Sequence, residues 1–315
     1  MKILYSNEAN FKDEFRALVD RSNIDMQSVM PIVNGIINDI KEHGDAALNE
    51  QIAKFDKWEV NGNLAITTDE MKAAYDNLDD KLRNALKLAY ERIKAYHEKQ
   101  VEKSWIDFEP SGAILGQKVT PVDRAGLYIP GGKAAYPSSL IMNAVPAIVA
   151  GVKEIVVCTP AVGGEVNSLL LAAMHLLGIK TAYKVGGASA VAAMAYGTQT
   201  IKKVDVITGP GNIFVATAKK MVYGDVNIDM IAGPSEIGVI ADESANPTHI
   251  AIDLLSQAEH DEIASSFLIT FSAEFANKVN DEIQRLLPNL KRYEIAKASI
   301  DNKAAIIVAC DIDEC

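Results

Sequence analysis

From residue 126 onward, short apolar runs alternate with stretches of helical spacing. That alternation restricts the chain to α/β layers built on a parallel sheet. Leu127-Tyr128-Ile129 is a strand-like run that ends at Pro130-Gly131-Gly132. The spacing then predicts a helix from about Ser138 to Ala150, a strand at Glu154 to Thr159 and a helix from Asn167 to Leu177. A strand at Thr181 to Val185, a helix at Ala190 to Tyr196, a strand at Val204 to Thr208 and a helix at Ile213 to Val222 follow. Each strand–helix–strand connection is expected to be right-handed.

The alternation resumes at Gly233. Ile237 to Ala241 reads as a strand, and Asn246-Pro247 supplies an N-cap and a first helical residue for a helix reaching about His260. A strand at Phe267 to Thr270, helices near Ala273 to Leu287 and Lys291 to Ala298, and a strand at Ala304 to Ala309 complete this segment. Residues 8 to 104 read as helical, with Met30, Ile32, Val33, Ile36, Ile37 and Ile40 recurring at helical spacing and a long charged helix at Lys81 to Lys103. Ala113 to Val119 has the pattern of a strand. The chain therefore reads as α/β: two Rossmann-like domains with parallel sheets, plus a helical N-terminal region. Residues 121–235 form an inserted α/β domain, and residues 1–120 join 236–315 in a discontinuous one.

With 315 residues the chain can bury a large core and is expected to hold two domains. Its net charge of −11, with no basic block to offset it, argues against binding nucleic acid or an anionic membrane surface. No apolar stretch reaches the ~18 residues of a membrane span. The nearest, Met142 to Val152, is broken by Asn143 and Pro146, and the N-terminus carries no signal-peptide core. Cys158, Cys310 and Cys315 form no CxxC pair. That usage points to a reducing, cytoplasmic compartment, and to nitrogen and oxygen ligands for any metal.

Three glycine-containing loops follow predicted strands: Pro130-Gly131-Gly132, Gly186-Gly187-Ala188-Ser189 and Gly209-Pro210-Gly211-Asn212. At the carboxyl edge of a doubly wound sheet such loops let a phosphate approach the backbone at a helix N-terminus. Any one of them reads more readily as a tight strand-to-helix turn, the three together less so, and no GxGxxG is present. The loop 232–236 joins the two alternating segments and carries Ser235 and Glu236. Gln257 and His260, three residues apart at a predicted helix end, share one face, and the negative end of the helix dipole favours a cation there. A solvated helix terminus explains the same pair. His43, His97, His175 and His249 read as surface or packing residues, and Cys158 as a buried structural thiol. Asp311, Asp313 and Glu314 resemble the acidic first turn of a helix, so the pattern reads as a chain cut short at Cys315.

Gly126-Leu127-Tyr128-Ile129-Pro130-Gly131-Gly132, Gly209-Pro210-Gly211-Asn212, Ala232-Gly233-Pro234-Ser235-Glu236 and Asp253-Leu254-Leu255-Ser256-Gln257-Ala258-Glu259-His260 together resemble the histidinol dehydrogenase family, in its order and spacing. The resemblance covers essentially the whole chain from about residue 20. It implies a zinc-dependent, NAD-linked enzyme that oxidises L-histidinol to L-histidine through L-histidinal, working as a homodimer. Tyr128 and Asn212 are then the NAD contacts, as is position 189, where the family commonly has Gln. Ser189 is shorter, which leaves room for a bridging water. Ser235 contacts substrate, and Gln257 and His260 bind both zinc and substrate. The family's catalytic Glu–His pair and its remaining zinc ligands, an Asp and a His, are expected beyond Cys315, so this chain by itself reads as an incomplete enzyme. Two other readings stay open: a non-catalytic nucleotide-binding module, and an aldehyde dehydrogenase-like enzyme using Cys158.

Overall fold

The computed structural model describes residues 1–20, 26–131, 136–231, 233 and 235–315, and in it the two runs of alternation build two separate parallel sheets. The chain opens on β1 (Lys2–Tyr5) and α1 (Phe11–Asp20). It continues through α2 (Met26–His43), α3 (Asp45–Phe55), α4 (Thr68–Asp76), α5 (Asp80–His97), β2 (Trp105–Phe108) and β3 (Ile114–Gln117). The first alternation is β4 (Arg124–Tyr128), α6 (Pro137–Ala150), β5 (Glu154–Thr159), α7 (Ser168–Leu176), β6 (Thr181–Lys184), α8 (Gly187–Tyr196), β7 (Val206–Thr208), α9 (Ile213–Val222) and β8 (Asn227–Ile228). The second is β9 (Glu236–Ile240), α10 (Pro247–Ala258), β10 (Ser265–Thr270), α11 (Ala273–Leu286), α12 (Tyr293–Lys303) and β11 (Ala304–Val308).

Two compact units result, Met1–Asp25 with Gly233–Cys315, and Met26–Ala232. In the sequence-based division residues 26–120 belong with the C-terminal segment; in the structure they group with the first sheet. Helix α8 supplies the reason. Residues 188–195 are all buried, and a helix that is apolar all round needs cover on every side. The sheet covers one side, and α2 and α9 pack on the other. Alanines along α8 keep its surface flat, and Val33, Ile36, Ile37 and Ile40 of α2 fill the shared core. Met30 and Ile32, part of the same apolar series, are exposed instead. On the opposite face α4 packs on α7 and α5 on α6, around Met71, Leu86, Leu140 and Met174.

The first sheet is five-stranded and parallel, in the order β6-β5-β4-β7-β8. β2 and β3 form a separate antiparallel hairpin whose strand residues are all exposed. The sequence reading did not contain β2, since its residues lack a one-sided apolar pattern.

The other unit holds a four-stranded parallel sheet, β1-β11-β10-β9. β11 is central and buried throughout, hence its unbroken apolar run. Its residues alternate between two faces: Ala304, Ile306 and Val308 pack with α10, α11 and α12, while Ala305 packs with Leu4 and Leu18. β1, also missing from the sequence reading, completes this sheet by pairing Lys2–Tyr5 with residues 305–308.

Candidate active site

The order of the first sheet locates its ligand crevice. The chain steps from β4 outward to β5 and β6, then returns through α8 to β7 on the other side of β4. The direction therefore reverses between β4 and β7, and ligands of open α/β sheets bind at the carboxyl ends of strands where this happens. Tyr128 is the last residue of β4, and Leu127 lies opposite Thr208, the last residue of β7. Gly209 follows with φ +116°, a conformation that favours glycine. A Cβ there would collide with the Tyr128 carbonyl oxygen and lie 3.0 Å from its carbonyl carbon. Glycine thus lets this loop rest directly on the end of β4.

Three residues on, Asn212 caps α9: its Oδ1 accepts from the N–H groups of Phe214 (3.1 Å) and Val215 (3.2 Å). Two converging N–H donors fix which end of the amide is oxygen, so Nδ2 is the end left to donate elsewhere. Asn212 is itself exposed. At the end of β7 the buried Thr208 hydroxyl has no hydrogen-bond partner among the described residues.

The α8 loop behaves differently. Gly187 N–H donates to the Tyr128 hydroxyl at 3.2 Å. Burial pushes the Tyr128 phenol up to about 12, against the pull of that bond, so Tyr128 is a neutral hydrogen-bonding group rather than a base. Burial likewise raises the Asp56 carboxyl above its usual range, while a hydrogen bond from Gly186 N–H pulls it down. Two N–H groups at the start of α8 are therefore already engaged by protein groups. A Cβ at Gly186 would meet Pro160 at 2.6 Å, and one at Gly131 would meet it at 3.1 Å. These two glycines accommodate Pro160, and the expectation for Gly132 lies outside the described residues. Ser189, in the first turn of α8, is only 4% exposed.

Sequence reasoning missed the support beneath the Gly209 loop. Lys219, on α9, is 2% exposed. Its amine donates to the Gly209 carbonyl at 2.9 Å and pairs with Asp229, just past β8. Asp229 Oδ2 in turn accepts the Gly209 N–H at 2.9 Å. The available signal was a lysine one helical turn from Val215 on an otherwise apolar face, followed by an acid just beyond the next strand.

In the other unit, Asn246 Oδ1 caps α10 by accepting Thr248 N–H at 2.9 Å, with Pro247 at the first helical position as expected. The Ser266 hydroxyl anchors this helix to β10 by donating to the Leu254 carbonyl at 2.9 Å. Gln257 is half-buried in the last turn, and its Nε2 has no partner among the described residues. His260 is exposed just past the helix, its N–H donating to the Gln257 carbonyl at 3.0 Å. Ser235 is exposed, and its carbonyl accepts Ser265 N–H at 3.0 Å, which holds it at the start of β9. Ala232 and Pro234 of the same loop lie outside the described residues. Among the described residues no group of three or more His, Cys, Asp or Glu side chains is placed to hold a metal.

Cys158 is fully buried, and burial pushes its thiol well above the ordinary range, which removes it as a nucleophile. His43 pairs with Asp39, His97 contacts Gln100 and His175 packs on Tyr75, as surface and packing residues do. Among the described residues no helix is long and apolar enough to cross a membrane.

Comparison with known proteins addresses the whole chain. Residues 19–315 match the sequence profile described as histidinol dehydrogenase. The chain is 62% identical to the histidinol dehydrogenase of Sulfurimonas denitrificans over 98% of its own length and 72% of that protein. It is 61% identical to that of Wolinella succinogenes over 100% of its length and 73% of the relative. The crystal structure of histidinol dehydrogenase from Elizabethkingia anophelis superposes with a TM-score of 0.91 at 36% identity, covering 100% of this chain and 72% of that one. The order of strands and helices, the motifs and these likenesses agree: the chain belongs to the histidinol dehydrogenase family, oxidoreductases of histidine biosynthesis.

Proposed function

We propose that this chain serves the NAD-linked, zinc-dependent oxidation of L-histidinol to L-histidine through L-histidinal, in a cytoplasmic homodimer. The observation that carries the cofactor assignment is the meeting of Tyr128 and the Gly209–Asn212 loop at the reversal point of the first sheet. The residues there fit a dinucleotide: the buried Thr208 hydroxyl, which has no partner among the described residues, has hydrogen-bonding capacity to spare. Tyr128 and Asn212 orient the ligand as neutral hydrogen-bonding groups, and Ser189 lies in the α8 turn behind Tyr128.

Gln257 and His260 supply a matching pair of donors for zinc. The amide end of Gln257 that has no partner among the described residues becomes an oxygen ligand on a simple flip, and the His260 imidazole lies at the same helix end. Zinc commonly takes three protein ligands or more, so this pair is part of a larger set. When bound, zinc supplies a Lewis acid for the imidazole and amine of the substrate, and NAD an acceptor for hydride. Gln257, His260 and Ser235 then bind and orient the substrate. The exposed apolar hairpin supports the homodimer, with Trp105, Ile106, Phe108 and Ile114 all more than half exposed. A lone two-stranded hairpin is marginal in water without a partner surface.

The deciding experiment is NAD titration of Asn212→Ser. Serine keeps the helix cap and so preserves α9, but loses the amide. Weaker NAD binding at unchanged stability supports the assignment; unchanged binding removes it.

A further inference from the structure

We propose that Lys219 and Asp229 form a clamp that positions the Gly209–Asn212 loop for the dinucleotide; this rests on the reading that the loop receives NAD. One ion pair holds both polar groups of a single residue. The Lys219 amine donates to the Gly209 carbonyl at 2.9 Å, and Asp229 Oδ2 accepts the Gly209 N–H at 2.9 Å. The other Asp229 oxygen is paired with Lys219 and accepts Met230 N–H at 2.6 Å, so the carboxylate is oriented at both ends. Gly209 is the residue that lies against the Tyr128 backbone, and Asn212 is three residues further on. The clamp therefore sets the distance between the two proposed cofactor contacts. Gly209 itself has glycine's conformational freedom unless held, and α9 fixes only the far end of the loop, through the Asn212 cap.

A purely structural role does not call for this chemistry. Taking the Lys219 ammonium out of water is costly, and its partner Asp229 stays partly solvated, its side chain 30% exposed, so exchanging the pair for neutral groups of similar volume should change stability little. A methionine at 219 is of similar length and would suit the buried face of α9 that also carries Val215 and Val222. What it would not do is grip the Gly209 carbonyl. The pair is thus placed for geometry at the crevice, and its loss should be felt by the cofactor before it is felt by the fold.

The test compares Lys219→Met, Asp229→Asn and the double variant with the unaltered chain. It uses NAD titration, thermal melting and amide hydrogen exchange of residues 209–214. In the double variant no charge is left buried without its partner, so its melting temperature should stay within about 4 °C. Exchange at Gly209 and Gly211 should rise, and the NAD dissociation constant should increase by at least about tenfold. Asp229→Asn alone should weaken NAD at least as much and also lower the melting temperature, since it leaves the buried Lys219 ammonium without its carboxylate, whereas Lys219→Met leaves a partly solvated Asp229 and should weaken NAD with little change in melting. Unchanged loop exchange in the double variant would overturn the clamp. Faster exchange with undiminished NAD affinity would overturn its positioning role. If Asn212→Ser is equally silent toward NAD, the fault lies in the cofactor assignment.

Discussion

Replacing Gly209 with alanine isolates the contact that joins the two halves of the crevice. Two costs add. At φ +116° an L residue is strained by about 1–3 kcal/mol. The new methyl also collides with the Tyr128 carbonyl oxygen and lies 3.0 Å and 3.3 Å from its carbonyl carbon and amide nitrogen. Those atoms belong to a central strand paired on both sides, with β5 and β7, so they cannot swing aside as a flexible side chain would. Forced overpacking of that kind costs about 1–3 kcal/mol. Gly224 provides the control. It has φ +106° and nothing within 4 Å of an added Cβ, so Gly224→Ala carries the strain alone. Urea unfolding of both variants should therefore separate them by about 1–3 kcal/mol, with Gly209→Ala the less stable. NAD affinity should fall only in Gly209→Ala. Equal stabilities within about 0.5 kcal/mol would refute the claim that the loop rests on the β4 backbone.

His260→Ala should weaken zinc binding, read as the dissociation constant in a direct zinc titration; an unchanged affinity would count against the ligand assignment. Asp56→Asn should show the sign of a raised carboxyl. The folded-state value lies above the ordinary 3.8, so the ionised form costs stability, and that cost grows as pH rises from 3.8 through the raised value. The variant should be the more stable at pH 7 and lose that advantage below pH 3.8; a difference independent of pH between melts would reverse the argument. Phe108→Asp and Ile106→Asp, placed in the exposed hairpin, should shift the mass seen by light scattering toward the monomer, whereas an unaltered mass would remove the hairpin from the interface.

The parallel sheets were legible because each buried strand announces itself. Glu154–Thr159, Ser265–Thr270 and Ala304–Val308 are short apolar runs set between helical patterns, and turn residues mark their ends. β1 and β2 carried no such mark. Lys2–Tyr5 alternates weakly at a sheet edge, and Trp105–Phe108 is exposed on both faces. The grouping of α2 with the first sheet was hidden for a different reason. Periodicity shows that Val33, Ile36, Ile37 and Ile40 share a face, but the surface that receives them belongs to α8, more than 150 residues later.

At the site, the limit lies in residues that serve two purposes. Asn212 is a good helix cap, and the structure shows it capping, so pattern alone could not separate a turn residue from a cofactor contact. The amide is able to serve both purposes, because capping engages the oxygen and leaves the nitrogen. Lys219 and Lys220 present the opposite problem. They are adjacent and chemically identical, and a reading by composition places both in solvent. Only Lys220 is exposed. Burying Lys219 makes sense only once Gly209 and Asp229 are known to lie within reach, and those come from two separate strand ends that the sheet order brings side by side. The glycine motif could be read along the chain, whereas the groups that hold it in place follow from topology.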